Sequence, residues 1–166
     1  MFLDPERVIL ELGIRNVYAI TFFLAIVGSV SAFTAAGYYS TLFAFALGGA
    51  NPFILALISA PGVLIGDLVF WYFGWSGKPI AEAVYRKPLR SILLWVERQP
   101  RSLIPIAVYV YTGLTPFPGD LLMISLAVIG YPLRKILIPT ILGNFTLALI
   151  VSLSATYGVT LASSLF

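Results

Sequence analysis

Two carboxylates stand alone in apolar surroundings, and they are the residues best placed to do chemistry. Asp120 sits in Thr115-Pro116-Phe117-Pro118-Gly119-Asp120 and is the only charged residue between positions 102 and 133. Asp67 follows Gly66 in a second apolar run. A carboxylate in hydrocarbon is costly and marks a route for a proton, an ion or a polar substrate. Pro116, Pro118 and Gly119 break a helix beside Asp120, and a helix broken at membrane depth next to an acid is a common way to build a transport site. Asp120 also has a structural use, since it would cap the helix it opens by accepting from free N–H groups. The functional reading makes it a midplane acid that takes a proton or faces a polar substrate. The amide-rich start of that helix attracts anions such as phosphate, which an ionised Asp120 would oppose, so a proton on Asp120 would admit phosphate. Asp67 reads either as a polar contact between helices, near the small Gly62 and Gly66, or as an acid across a cavity from Asp120.

Composition removes other chemistries. The 166 residues contain no cysteine and no histidine. Disulfides, thiolate nucleophiles and Cys metal sites are therefore out, as are the commonest general base and any Ser-His triad. A rhomboid-like serine protease and a histidine-dependent lipid phosphatase fall with them. A presenilin-type aspartyl protease needs Tyr-Asp on one helix and Gly-x-Gly-Asp on another. Asp67 follows Leu64-Ile65-Gly66 and Asp120 follows Phe117-Pro118-Gly119, so neither motif is present. The expectation is a protein that is not an enzyme and uses no cofactor and no metal.

The elements that position these acids must be membrane helices. Hydrophobic residues make up 60% of the chain and charged residues 10%, against roughly 25% in soluble domains. Uncharged runs cover residues 16–66 and 136–166, each longer than the roughly 20 apolar residues that cross a bilayer. The acids near the start, Asp4, Glu6 and Glu11, do not fit a cleaved signal peptide. One membrane domain over residues 1–166 is expected. The formal charge of +3 is concentrated in residues 78–101, with a further point at Arg134 and Lys135, which argues against nucleic acid as a partner. Residues 79–98 read as an amphipathic helix broken at Pro88, with Tyr85 and Trp95 suited to headgroup level. Such a segment lies on anionic lipid as a connector, where Arg86, Lys87 and Arg90 would contact headgroups.

An internal repeat organises the rest. Repeat one (about 17–77) contains Gly48-Gly49-Ala50-Asn51-Pro52, then Pro61, then Gly66-Asp67. Repeat two (about 102–160) contains Gly130-Tyr131-Pro132, then Pro139, then Gly143-Asn144, which makes Asn144 the counterpart of Asp67. In repeat two, arms at 103–113 and 121–130 flank the proline break, each too short to cross at about 1.5 Å per residue. In repeat one, arms at 17–30 and 41–49 flank a softer break at Ser31, Thr34, Gly37 and Ser40. Two short arms meeting at a break make a re-entrant hairpin. A spanning helix follows each hairpin, roughly 53–75 and 137–157 or beyond. Each repeat then crosses once, and the basic connector and Arg134-Lys135 share one side. The positive-inside rule makes that side cytoplasmic, with both termini external and the repeats inverted. The rival is an ordinary bundle in which residues 17–33 span fully. The expected fold is thus an all-α, multi-pass integral membrane protein of two inverted repeats. The substrate- or proton-binding residues would be Asp120, Asp67, Gly119, Pro118, Pro116, Asn144, Ser40 and Thr41, at the facing hairpin tips. The glycines at 62, 66, 74, 77 and 143 read as close-packing points.

The segment Gly62-Val63-Leu64-Ile65-Gly66-Asp67, followed by Trp71-Tyr72-Phe73-Gly74 and Gly77, resembles the motif of the DedA family. The later Pro116-Phe117-Pro118-Gly119-Asp120, with Gly130 downstream, resembles the proline-broken second hairpin of the same VTT-domain superfamily. The resemblance covers about residues 30–150. It implies two facing re-entrant hairpins, each followed by a spanning helix, in the cell membrane. It also implies movement of a phosphate-bearing lipid, polyprenyl-phosphate or phospholipid, by a flippase or scramblase, with a coupling proton as partner and room for an oligomer. Two features depart from the family pattern: repeat one has no acid in its hairpin, and no arginine flanks residues 116–120. A small-solute or ion exporter on the same scaffold, and a membrane scaffold that transports nothing, are the alternatives.

Overall fold

The structure is a computed structural model that describes residues 13–77, 94, 98–100, 102–115 and 119–165. Among these residues the ordered elements are all helical. They are α1 (Ile14–Gly28), α2 (Ala32–Leu47), α3 (Pro52–Ser76), α4 (Ile104–Leu114), α5 (Gly119–Val128) and α6 (Leu137–Leu165), with a 3-10 turn at Leu133–Lys135. The amphipathic connector, with Arg86, Lys87 and Arg90, lies outside the described residues, as do Pro116 and Pro118.

Length separates two kinds of helix. The 25 residues of α3 and the 29 of α6 run about 37 and 43 Å, enough to cross hydrocarbon roughly 30 Å thick. Both carry high mean hydropathy (2.2 and 1.8 over their best windows), and less than half of each window is buried. Phe53, Leu57, Val69, Phe73 and Trp75 on α3, and Ile138, Leu142 and Ile150 on α6, are exposed. Outward apolar surface on helices of this length suits lipid better than water. The 15, 16, 11 and 10 residues of α1, α2, α4 and α5 run only about 22, 24, 16 and 15 Å.

The break in the first half falls earlier than the polar residues 31–40 suggest. α1 stops at Gly28, and α2 starts at once after Ser31. The reason is local. The Ser31 side chain accepts from the Thr34 N–H, and Thr34 Oγ1 accepts from the Ser31 N–H, a reciprocal cap that needs no proline. Ser40 and Thr41 consequently sit inside α2. In the second half α4 stops at Leu114, where Thr115 turns extended (φ −122°, ψ 136°), and α5 starts at Gly119.

Both second arms end the same way. Gly49 (φ 96°) and Gly130 (φ 71°) adopt the left-handed conformation that favours glycine. Around Gly49, Ala50 N–H donates to Phe45 O and Gly49 N–H to Ala46 O; around Gly130, Tyr131 N–H donates to Leu126 O and Gly130 N–H to Ala127 O. These are matching Schellman motifs. A proline follows each, Pro52 and Pro132, and Asn51 caps α3 by accepting from Phe53 and Ile54 N–H.

Packing follows an exchange pattern. α1 lies on α3 and α4 on α6, whereas α2 lies on α6 and α5 on α3, with α3 against α6 at the centre. Glycine permits the close approaches. A Cβ on Gly62 would come within 2.8 Å of Ala25 Cβ and Phe22 O on α1, and one on Gly74 within 2.8 Å of Ile124 O on α5. Two apolar clusters form the core. The first joins Val17, Leu42, Phe45, Ala50, Leu55 and Ala155; the second joins Ile104, Val108, Leu126, Tyr131 and Ile136, with Phe70 and Trp71 against it. The first brings the start of α1 beside the end of α2, where Tyr18 Oη also accepts from Asn51 N–H at 3.2 Å. The second brings the start of α4 beside the turn holding Arg134 and Lys135 and beside the last turns of α3. Trp71 and Trp75 stack at that end, with centroids 6.3 Å apart.

Candidate functional site

A cavity of about 30 Å³ lies where the two halves meet. All six helices or the turns between them contribute to it. Gly28, Ser29 and Ser31 come from the α1–α2 turn, Tyr38 and Tyr39 from α2, Asp67 from α3, Thr112 from α4, Gly119 from α5 and Asn144 from α6. The α1–α2 turn and the start of α5 therefore meet at one small space, with room for one or two waters.

Asp67 is the centre of this site. Its side chain is buried (2% exposed), and Oδ2 accepts from Asn144 Nδ2 at 2.9 Å. An ionised carboxylate can only accept, so the amide nitrogen must be the atom turned toward it. Asp67 and Asn144, each preceded by a glycine, thus bond to each other across the α3–α6 contact. Gly119 closes the third side, where a Cβ would come within 2.6 Å of Asp67 Oδ1. Among the described residues, no lysine or arginine lines the cavity.

The glycine ahead of each polar residue has a matching neighbour. A Cβ on Gly66 would overlap Ser29 Oγ, and one on Gly143 would overlap Thr112 Oγ1. Ser29 and Thr112 sit at the C-terminal ends of the first arms, where their hydroxyls donate to Ile26 O at 2.7 Å and Val108 O at 2.9 Å. Each half therefore seats a hydroxyl residue on a glycine, one position before the polar residue that reaches its partner.

Of the residues singled out by sequence, the structure brings together Asp67, Asn144 and Gly119. Asp120 is half-buried at the first turn of α5, and its Oδ1 accepts from its own neighbour, Leu121 N–H, at 2.7 Å. Its side chain offsets the positive end of α5 and is not among the lining groups, although it stays within electrostatic reach of Asp67. Ser40 is exposed, and Thr41 Oγ1 donates to Gly37 O within α2; neither lines the cavity. Tyr38, Tyr39 and Thr112 line it without having been singled out for the site. A signal for two of the lining hydroxyls was present: Gly28-Ser29 and Thr112-Gly113 each pair a hydroxyl with a glycine at the end of a first arm.

No family model matches the chain, and neither the curated proteins nor the solved structures include a significant match.

Proposed function

We propose that this chain is a multi-pass membrane transporter of the DedA/VTT type, built from two inverted repeats, that moves a phosphate-bearing lipid between leaflets. The observation that carries this reading is the cavity that holds the buried Asp67–Asn144 pair, lined from the α1–α2 turn and from the start of α5. Each hairpin's start lies beside its own end, at opposite ends of α3, which supports re-entrant hairpins entering from opposite faces. The exchange of packing partners and the two matching Schellman motifs support the repeat. By the positive-inside rule the end bearing Arg134, Lys135 and the connector is cytoplasmic, and the stacked Trp71 and Trp75 there suit an interfacial belt. The termini are then external.

Size favours a second reading in one respect. A cavity of about 30 Å³ holds a small ion, not a lipid headgroup, so an ion or small-solute exporter fits this conformation without opening. Flux in reconstituted vesicles separates the two. For a lipid transporter, fluorescent phospholipid exchanges leaflets in the presence of wild-type protein. Asp67→Asn lowers that rate at least about tenfold, and Asp120→Asn lowers it less, because Asp120 serves its own helix. Ion flux with no lipid exchange would replace the first reading by the second.

A further inference from the structure

We infer that the cavity at Asp67 binds a dehydrated monovalent metal cation of the size of sodium. This rests on the transport reading for its purpose, as the coupling ion, but on separate chemistry for its existence. The lining oxygens are short of hydrogens to give. Ser29 Oγ donates to Ile26 O at 2.7 Å and Thr112 Oγ1 to Val108 O at 2.9 Å. Ser31 Oγ lies 3.1 Å from Thr34 Oγ1 and accepts from Thr34 N–H at 3.2 Å. Asn144 turns its amide nitrogen to Asp67 at 2.9 Å, so its carbonyl oxygen is left over. With the Ser29 and Thr112 hydrogens committed, these two oxygens offer lone pairs, and Asp67 adds a carboxylate. Tyr38, 4% exposed, lines the same space.

The electrostatics have the same sign. The last turns of α1 and α4 end at the cavity, and neither carries a basic residue to offset its negative pole. The opposing positive poles are answered: Ser31 and Thr34 cap α2, and Asp120 sits in the first turn of α5. A buried carboxylate with no basic residue among its lining neighbours is stabilised by a cation or by a proton. Hard oxygen donors suit an alkali ion, and broken helices with free oxygens are where transporters hold such ions. The volume of about 30 Å³ admits an ion of water size and has no room for a full hydration shell.

The test is equilibrium binding of radiolabelled sodium to the purified full chain in nanodiscs. Thermal melting is followed in parallel in sodium, potassium and choline chlorides at one ionic strength. We expect saturable sodium binding, a melting temperature that rises with sodium and does not rise with choline, and a smaller response to potassium. Asp67→Asn, whose amide can still face Asn144, abolishes the binding. Thr112→Val keeps the shape and lowers the affinity about tenfold, the scale expected when a supporting group is lost. Thr41→Val, outside the cavity, changes nothing. Wild type melting identically in sodium and choline, or Asp67→Asn binding as wild type does, overturns the inference. Sodium binding without lipid exchange would leave it standing and remove the lipid reading; lipid exchange without sodium binding would do the reverse.

Discussion

In the first half, α1 lies along α2, and the turn at residues 29–31 is closed by the Ser31–Thr34 cap. In the second half, α4 and α5 scarcely touch among the described residues and are tied instead to α6 and α3. Yet both halves end their second arm in the same Schellman motif, seat a hydroxyl on the same glycine and present a polar side chain at the same place. One half presents a carboxylate, Asp67, and the other an amide, Asn144. The shared features are those that set backbone geometry and close packing. The differences lie in how the two short helices of each half are tied and in the charge of one residue. Two carboxylates facing each other would repel, whereas an acid facing an amide makes one charge-assisted hydrogen bond and leaves oxygens over.

The largest effect should come from the seats. Gly66→Val and Gly143→Val would drive side chains into Ser29 and Thr112, and each should destabilise the fold by about 3 kcal/mol in reversible unfolding from mixed micelles. Tolerance of one and not the other would break the correspondence between halves. Next comes the bond between them. Asn144→Ala leaves a buried carboxylate without its partner and should cost about 2 kcal/mol, whereas Asp67→Asn should cost less than half of that, because an amide can still pair. Equal costs for the two would mean that the bond does not hold the halves together. The smallest effect concerns the arm ends. Gly49→Ala and Gly130→Ala force an L side chain into the left-handed region and should each cost about 1 kcal/mol, with nearly equal values for the two. Gly37→Ala, inside α2 with nothing within 4 Å of its Cβ position, is the control and should be neutral or stabilising.

The sequence made some of this visible and hid the rest for physical reasons. The long helices were legible as uninterrupted apolar length, and they run from Pro52 to Ser76 and onward from Leu137. The correspondence of Asp67 with Asn144 was legible because each follows a glycine in a repeated frame, but their bond was not, and the sequence set Asp67 across a cavity from Asp120 instead. The break in the first half was harder to place, since a reciprocal Ser-Thr cap leaves a fainter mark than prolines do. Residues 31, 34, 37 and 40 were weighed together when only the first two bend the chain. Asp120 drew the eye as a lone charge, but isolation along the chain does not say which way a side chain faces. In the fold its carboxylate turns to Leu121 N–H, and the cavity belongs to Asp67. Tyr38 and Tyr39 carried no pattern of their own, because their place depends on helices brought together from distant parts of the chain.

The central claim is that both hairpin tips stop inside the bilayer. Val30 and Leu114 sit beside the two breaks and are 53% and 57% exposed, so each accepts a spin label without disturbing the core. Collision rates with oxygen, which is soluble in lipid, and with a water-soluble nickel complex report the depth of each label in a reconstituted bilayer. The account predicts that both labels lie deep in hydrocarbon, with high oxygen and low nickel contact. A label at either position that meets the nickel complex as freely as one at the exposed Lys135 would contradict it.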